Sequence, residues 1–495
     1  MPRIGSSMTA PATTTKHRRY LLKSMTRKSG RPEKQAQDCR RPAGFLAILL
    51  MIVLALLVTA CSRLPLPSGD SGSDPSVVTE PPSPTPTLTP TPLPTPTPTP
   101  TPMPSPTPTP EPTVRIRIGM VGDMLMHDPV IRGGATGDGG YDYNYMFDYL
   151  RPEIAKLDYA IFNMEGTFGG TPYKGFPLFS APDELAEACA AAGFHCAVTA
   201  NNHILDRKTA GLQRTLQVLR AAGLDTVGAR LTPEESPILI KEVSGIKLAI
   251  SAYTWETIRQ GENSEIPAIN GLRMTELDRQ LVDSFSEQSK PRDFKADSVR
   301  EITARAEQMR ATGADLVVFI MHWGLEYKTR ESSMAQFYTQ VLADAGVDLV
   351  FAAGPHVINP IRTLTSRDGE HKMLCFYSLG NCISDQYFDT GNSQGHAEDG
   401  LLGVVTLLRE PGQKVRIESC GYLAFYNYKN KIVRDPSTNR DTPIPVNAAL
   451  ENPAAYEAES LLNLLSASQA RTRNVMGKNS VEGIPTVEYT VLPTD

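Results

Sequence analysis

Thr312-Gly313-Ala314-Asp315-Leu316-Val317-Val318-Phe319-Ile320-Met321-His322-Trp323 contains the repeating unit of this chain: a glycine after a helical run, an uninterrupted apolar run, and a polar donor where that run ends. Glycine just past a helix supplies the left-handed cap that stops it, and the apolar run that follows reads as a buried strand. The same joint recurs at Ala192-Gly193-Phe194, Ala222-Gly223-Leu224 and Ala345-Gly346-Val347. Helix, glycine stop and strand in repetition define an α/β domain.

Further strands are expected around these joints. Val114-Arg115-Ile116-Arg117-Ile118 alternates with period two before meeting Gly122-Asp123, as a strand entering a polar turn does. Residues 247–253, 372–377, 401–408 and 415–420 also read as strands, and the last three follow one another without a clear helix. That succession predicts an antiparallel or mixed portion of sheet, so the expected fold is two packed sheets with helices outside. The polar stretch 270–296 reads as a surface insertion. Beyond Tyr428 the chain turns Pro- and Asn-rich, with a helix expected over residues 454–466 and a tail that either covers the domain edge or stays partly disordered.

Residues 1–43 carry 11 Lys and Arg against 2 acidic residues and run into the 17-residue apolar stretch 44–60. Leu57-Val58-Thr59-Ala60-Cys61 then places small residues and a cysteine where a signal peptide is cleaved. It resembles a bacterial lipobox, which would lipidate Cys61; the other reading is an uncleaved membrane anchor. Either places the protein on the extracytoplasmic face of the cell membrane. The remaining residues carry 38 basic and 52 acidic side chains, a net charge near −14, which argues against nucleic acid as a partner.

From Pro81 to Pro112 the sequence is a Thr-Pro repeat. Without apolar partners it builds no core, and roughly 30 residues at ~3.1 Å each extend about 100 Å. The expected organisation is therefore residues 1–60 as lipoprotein signal peptide, 61–113 as Pro/Thr-rich stalk, 114–427 as the α/β domain and 428–495 as a C-terminal extension.

Five polar strings close strand-like runs: Gly122-Asp123, Asn163-Met164-Glu165, Asn201-Asn202-His203, His322-Trp323 and Pro355-His356. Ligand sites of α/β sheets form at the carboxyl ends of strands. A strand-end Asp alone is more often a turn former or helix cap, and Glu165 alone says little. Two amides and an imidazole after Cys196-Ala197-Val198-Thr199-Ala200 have no packing reason to be there: an amide oxygen can ligate a metal, and His203 can give a proton to a leaving oxygen. Asp206 either orients His203 or caps the next helix, capping being the expected role. His322 and His356, both after buried strands and joined by Asp, Glu and Asn in equivalent places, point to a metal site.

Together with Tyr377-Ser378-Leu379-Gly380-Asn381, these strings, in order from Ile116 to Ser384, resemble the motif series of CapA-type capsule-synthesis proteins, which are associated with poly-γ-glutamate production. That family is in turn similar to calcineurin-like metallophosphoesterases. The resemblance implies a metallophosphoesterase-like α/β/β/α fold, with Asp123, Glu165, Asn202, His322 and His356 as ligands of a divalent metal and His203 as general acid. Manganese, iron or zinc each suits mixed oxygen and nitrogen donors. Leu125 stands where calcineurin-like enzymes have a histidine, and Gly354 where the capsule family usually has one, so the resemblance leaves one ion or two. His127 and Asp128 are alternative donors, with turn roles expected for both. Cys382 replaces a usual aromatic residue and reads as core.

Three functions fit: a capsule-synthesis protein whose hydrolase-type site handles an anionic polymer or its carrier, with capsule-synthesis membrane partners; a non-catalytic polymer-binding or assembly subunit; or a broad extracellular metallophosphoesterase. No Cys-X-X-Cys or Gly-X-Ser-X-Gly string points to thiol or serine chemistry.

Overall fold

The computed structural model describes residues 112–254, 280–283, 291–431 and 439–494. The segments expected to form the export signal and the stalk, Cys61 included, lie outside the described residues except for residues 112 and 113. Four strands, β1 (Val114–Met124), β2 (Tyr159–Met164), β3 (Cys196–Val198) and β4 (Asp225–Val227), run parallel in a first sheet. The next six, β5 (Leu239–Val243), β6 (Ile246–Thr254), β7 (Leu316–His322), β8 (Leu349–Ala353), β9 (Ile358–Thr365) and β10 (Lys372–Leu379), build a second sheet in the order β5-β6-β7-β8-β10-β9. Its four inner strands are parallel and its two edges antiparallel.

The chain then returns to the first sheet with β11 (Asn381–Ile383), β12 (Asp399–Arg409), β13 (Arg416–Lys431), β14 (Asn439–Pro445) and β15 (Thr486–Tyr489). The order there is β14-β13-β12-β1-β2-β3-β4, with β11 beside β1 and β15 beside β13. Both sheets are mixed.

Successive strand side chains point to opposite faces, and the cores divide accordingly. Ile116, Ile118 and Met120 of β1 pack between the sheets against Leu248, Ile250, Val318, Ile320 and Phe351. Val121, Phe162 and Ala197 face outward, onto α1 (Glu184–Ala192) and Leu219 of α2 (Lys208–Ala221). In the second sheet Val317, Phe319 and Met321 meet α3 (Pro291–Ala311) through Ile302 and Met309, and α4 (Ser333–Asp344) through Tyr338 and Leu342. Helix, sheet, sheet, helix is the resulting order of layers. Burial on both faces explains why the inner strands read as unbroken apolar runs.

All four joint glycines have positive φ: Gly193 at 99°, Gly223 at 87°, Gly313 and Gly346 at 74°. An aspartate after two of them then pins a neighbouring strand. Asp315 accepts the Lys247 N–H at 2.8 Å and Asp348 that of Val317 at 2.7 Å; Asp158, before β2, does the same for Arg117 at 2.7 Å. These bonds fix the strands' amino ends, and hence the level at which their carboxyl ends deliver side chains.

Three expectations are corrected. Residues 372–377 do not share a sheet with the two later strands: β10 joins the mixed second sheet, parallel to β8 and antiparallel to β9, whereas β12 and β13 pair antiparallel in the first. An apolar run alone does not say which sheet it enters. Within the stretch read as a surface insertion, Leu281, Val282 and Asp283 are buried, Val282 bridges Ala229, and residues 291–296 already belong to α3. The late helix, α5 (Leu462–Met476), begins and ends later than the expected 454–466: only residues 462–466 of that span are helical, and short 3₁₀ turns precede them. Residues after 428 add β14 and β15 to the first sheet. No described helix is long and apolar enough to cross a membrane.

Candidate metal centre

The strand ends of both sheets meet at one edge. Gly122 is needed there because a Cβ would stand 1.8 Å from the Gly380 carbonyl oxygen, which accepts the Asp123 N–H at 3.0 Å. The glycine serves close approach of two backbones, not the tight turn its position suggested. The pairing of β1 with β2 shifts register between Val121 and Asp123, and Asp123 enters the interior fully buried.

Its Oδ1 accepts a hydrogen bond from Asn163 Nδ2 at 2.8 Å. Its Oδ2 accepts the Gly354 N–H at 3.2 Å and lies 3.0 Å from His356 Nδ1. Glu165, just past β2, is also fully buried, and its Oε1 lies 3.7 Å from His322 Nε2 and 3.8 Å from His356 Nε2. One donor atom from each of Asp123, Glu165 and His322 falls within a 4.8 Å span. His356 touches both acids of that group, and it does so from a left-handed backbone (φ 59°). Such backbone is costly for a residue with a Cβ and is characteristic of functional sites.

Electrostatics suit a cation. Burial pushes the Asp123 carboxyl up, but the His356 hydrogen bond and charge, with help from His322 and Asn163, more than offset it and hold Asp123 below the ordinary range. Burial drives the His322 imidazole down to about 4, so at neutral pH it is uncharged and able to ligate. Asn202 is buried, and its Oδ1 has no hydrogen-bond partner among the described residues. A buried carbonyl oxygen without a donor is costly unless something electropositive faces it. Two carboxylates and two imidazoles brought together in this way are a donor set that fits a divalent metal, whereas no contact ties the Asn202 amide oxygen to that group among the described residues.

His203 stands beside this group. Its Nδ1 is 2.8 Å from Asp206 Oδ2, which also accepts the Phe179 N–H at 2.8 Å, and the Phe179 ring packs edge-on at 4.7 Å. Asp206 therefore orients His203. The capping expectation is corrected, since α2 has no side-chain cap at its start. His127 and Asp128 do not join the donor cluster: His127 Nδ1 accepts the Asp385 N–H at 3.2 Å, and Asp128 holds Lys174 and the Gly175 N–H, both at 2.6 Å. Cys382 is buried in the core with a free thiol.

Three contributors carried no assigned role in the sequence. Asn163 bonds Asp123 and comes within 3.4 Å of His322 Nδ1, linking the two sheets. Asn201 ties the third string to the second, donating to the Met164 carbonyl at 2.7 Å and accepting the His203 N–H at 3.1 Å. Their only signal was membership in the strings. Phe179 had none, because it comes from an irregular loop.

Residues 117–386 match the family described as bacterial capsule synthesis protein PGA_cap. The capsule biosynthesis protein CapA of Bacillus anthracis is 27% identical over 315 residues, which span 61% of this chain and 69% of that protein. The PGA biosynthesis protein CapA of Bacillus subtilis is 26% identical over 274 residues, spanning 54% of this chain and 62% of that protein. Among solved structures, the NAD nucleotidase of Haemophilus influenzae aligns over 75% of this chain and 64% of its own, with 12% identity and a TM-score of 0.37. A likeness that low carries no argument about this chain.

Proposed function

The chain belongs to the bacterial capsule synthesis PGA_cap family, and from that premise we propose that it is an extracytoplasmic, lipid-anchored capsule-synthesis protein whose strand-end centre binds a divalent metal and hydrolyses or holds an anionic polymer or its carrier. The observation that carries the proposal is the buried convergence of Asp123, Glu165 and His322, from both sheets, within 4.8 Å. Two buried carboxylates placed together repel each other unless a cation or proton lies between them. Capsule polymers of this family's relatives are the natural class of substrate, and a cation offsets repulsion between an acidic protein and an acidic chain. The basic lead, the apolar stretch and Cys61 support export and anchoring, with the Thr-Pro repeat as spacer.

A divalent cation held by Glu165, His322, His356, Asp123 and Asn202 would supply Lewis-acid activation of a phosphoester and of its attacking water. The chain's own residues do the rest. Asp206 engages His203 Nδ1, which leaves Nε2 as the nitrogen that delivers a proton to the leaving oxygen. Phe179 packs against the same ring and limits its rotation and hydration. Asn163 and the Gly354 N–H hold Asp123 in place.

His203→Ala tests the enzymatic form of the proposal. Turnover of a phosphoester falls about 10²- to 10⁴-fold, while circular dichroism and bound metal are unchanged. Polymer binding without any phosphoester turnover, indifferent to His203→Ala, would instead favour a non-catalytic assembly subunit.

A further inference from the structure

We infer that the centre holds a single metal ion, and that Asp123 cannot bridge two; this rests on the metal-binding reading above. A carboxylate has about four lone-pair positions, two on each oxygen. Asp123 Oδ2 is matched to two donors, the Gly354 N–H at 3.2 Å and His356 Nδ1 at 3.0 Å. Oδ1 takes a third, from Asn163 Nδ2 at 2.8 Å. One position remains, on Oδ1. A bridging carboxylate needs two that face metal.

Among the described residues, the surroundings offer no second set of ligands. Leu125 is buried and apolar, and its N–H is committed to the Ile383 carbonyl at 2.8 Å. His127 and Asp128 are engaged elsewhere. Among the described residues, Asp123, Glu165 and His322 form the one cluster of acids, imidazoles and thiols able to hold an ion. Gly354 closes the remaining route. Its φ is 107°, and a Cβ there would sit 2.9 Å from the Trp323 carbonyl oxygen and 3.2 Å from His322 Nε2. The backbone at this position offers an N–H to Asp123 in a conformation that disfavours any side chain. His356, with Nδ1 held by the carboxylate, presents Nε2 toward Glu165, the carboxylate–histidine arrangement that orients a metal-ligating imidazole.

The test is the manganese content of the detergent-solubilised full chain after equilibrium dialysis against Mn²⁺, read by elemental analysis together with electron paramagnetic resonance. One ion per chain with an isolated Mn²⁺ spectrum is expected. Two ions per chain with an exchange-coupled spectrum would overturn this inference and leave the metal-binding reading intact, whereas no bound ion would overturn both. Asp123→Asn is expected to weaken Mn²⁺ affinity and to keep the limiting stoichiometry at one. Gly354→His is expected not to raise the stoichiometry, and two ions in that variant would contradict the steric part of the inference.

Discussion

At Asp206 one carboxylate oxygen serves two partners, His203 Nδ1 and the Phe179 N–H, each at 2.8 Å. Asp206→Asn keeps the shape and weakens the hold on the imidazole, so kcat should fall about 10- to 100-fold, the usual effect of losing an orienting partner, with KM and metal affinity little changed. Steady-state kinetics beside a metal titration checks both halves of that expectation. The convergence of Asp123, Glu165, His322 and His356 was legible in the sequence, because each polar string follows an apolar run and strand direction sends it to one edge. The partners were less legible. Asp206 meets Phe179 across 27 positions and Asn163 meets His322 across 159, separations at which no local pattern survives.

The same contrast holds for elements. Glycine joints and apolar runs located the inner strands to within a few residues, since left-handed caps and two-sided burial leave composition no freedom. Sheet membership was not written locally, as β10 shows, and neither was the fate of Leu281 and Val282, two apolar residues in a polar stretch. α5 is held by a contact of this long-range kind. Arg471 forms a two-pronged pair with Asp399 of β12, both bonds 2.7 Å, and Ser468 adds a third at 2.7 Å. Burial still pushes the Asp399 carboxyl up to about 6. Arg471→Ala strands that buried carboxylate, so stability at pH 8 should drop by about 3–5 kcal/mol. The urea midpoint is the readout, and a change below 1 kcal/mol would show that the pair contributes little.

Across the whole molecule, the chain crosses from the first sheet to the second and back, and its last segment touches both. Ser480 bridges Arg362 on β9, and β15 pairs with β13, so the tail helps hold together the two sheets that share the centre. Global stability should also respond to pH through Asp441, whose carboxyl is pushed up to about 7 by burial, partly countered by Lys429. A folded-state value above the unfolded one means that the native protein binds the extra proton. This contribution to stability is present at acidic pH and is lost as pH rises through about 7. Relative to the wild type, Asp441→Asn should therefore gain on the order of 2 kcal/mol between pH 5 and pH 8, measured by paired denaturant titrations. The central claim is that strands from two sheets deliver their donors to one metal. Anomalous diffraction from zinc-soaked crystals tests it most directly: the account predicts one peak about 2.0–2.2 Å from a Glu165 oxygen and a His322 nitrogen, and zinc bound only at the surface, with none between those side chains, would contradict it.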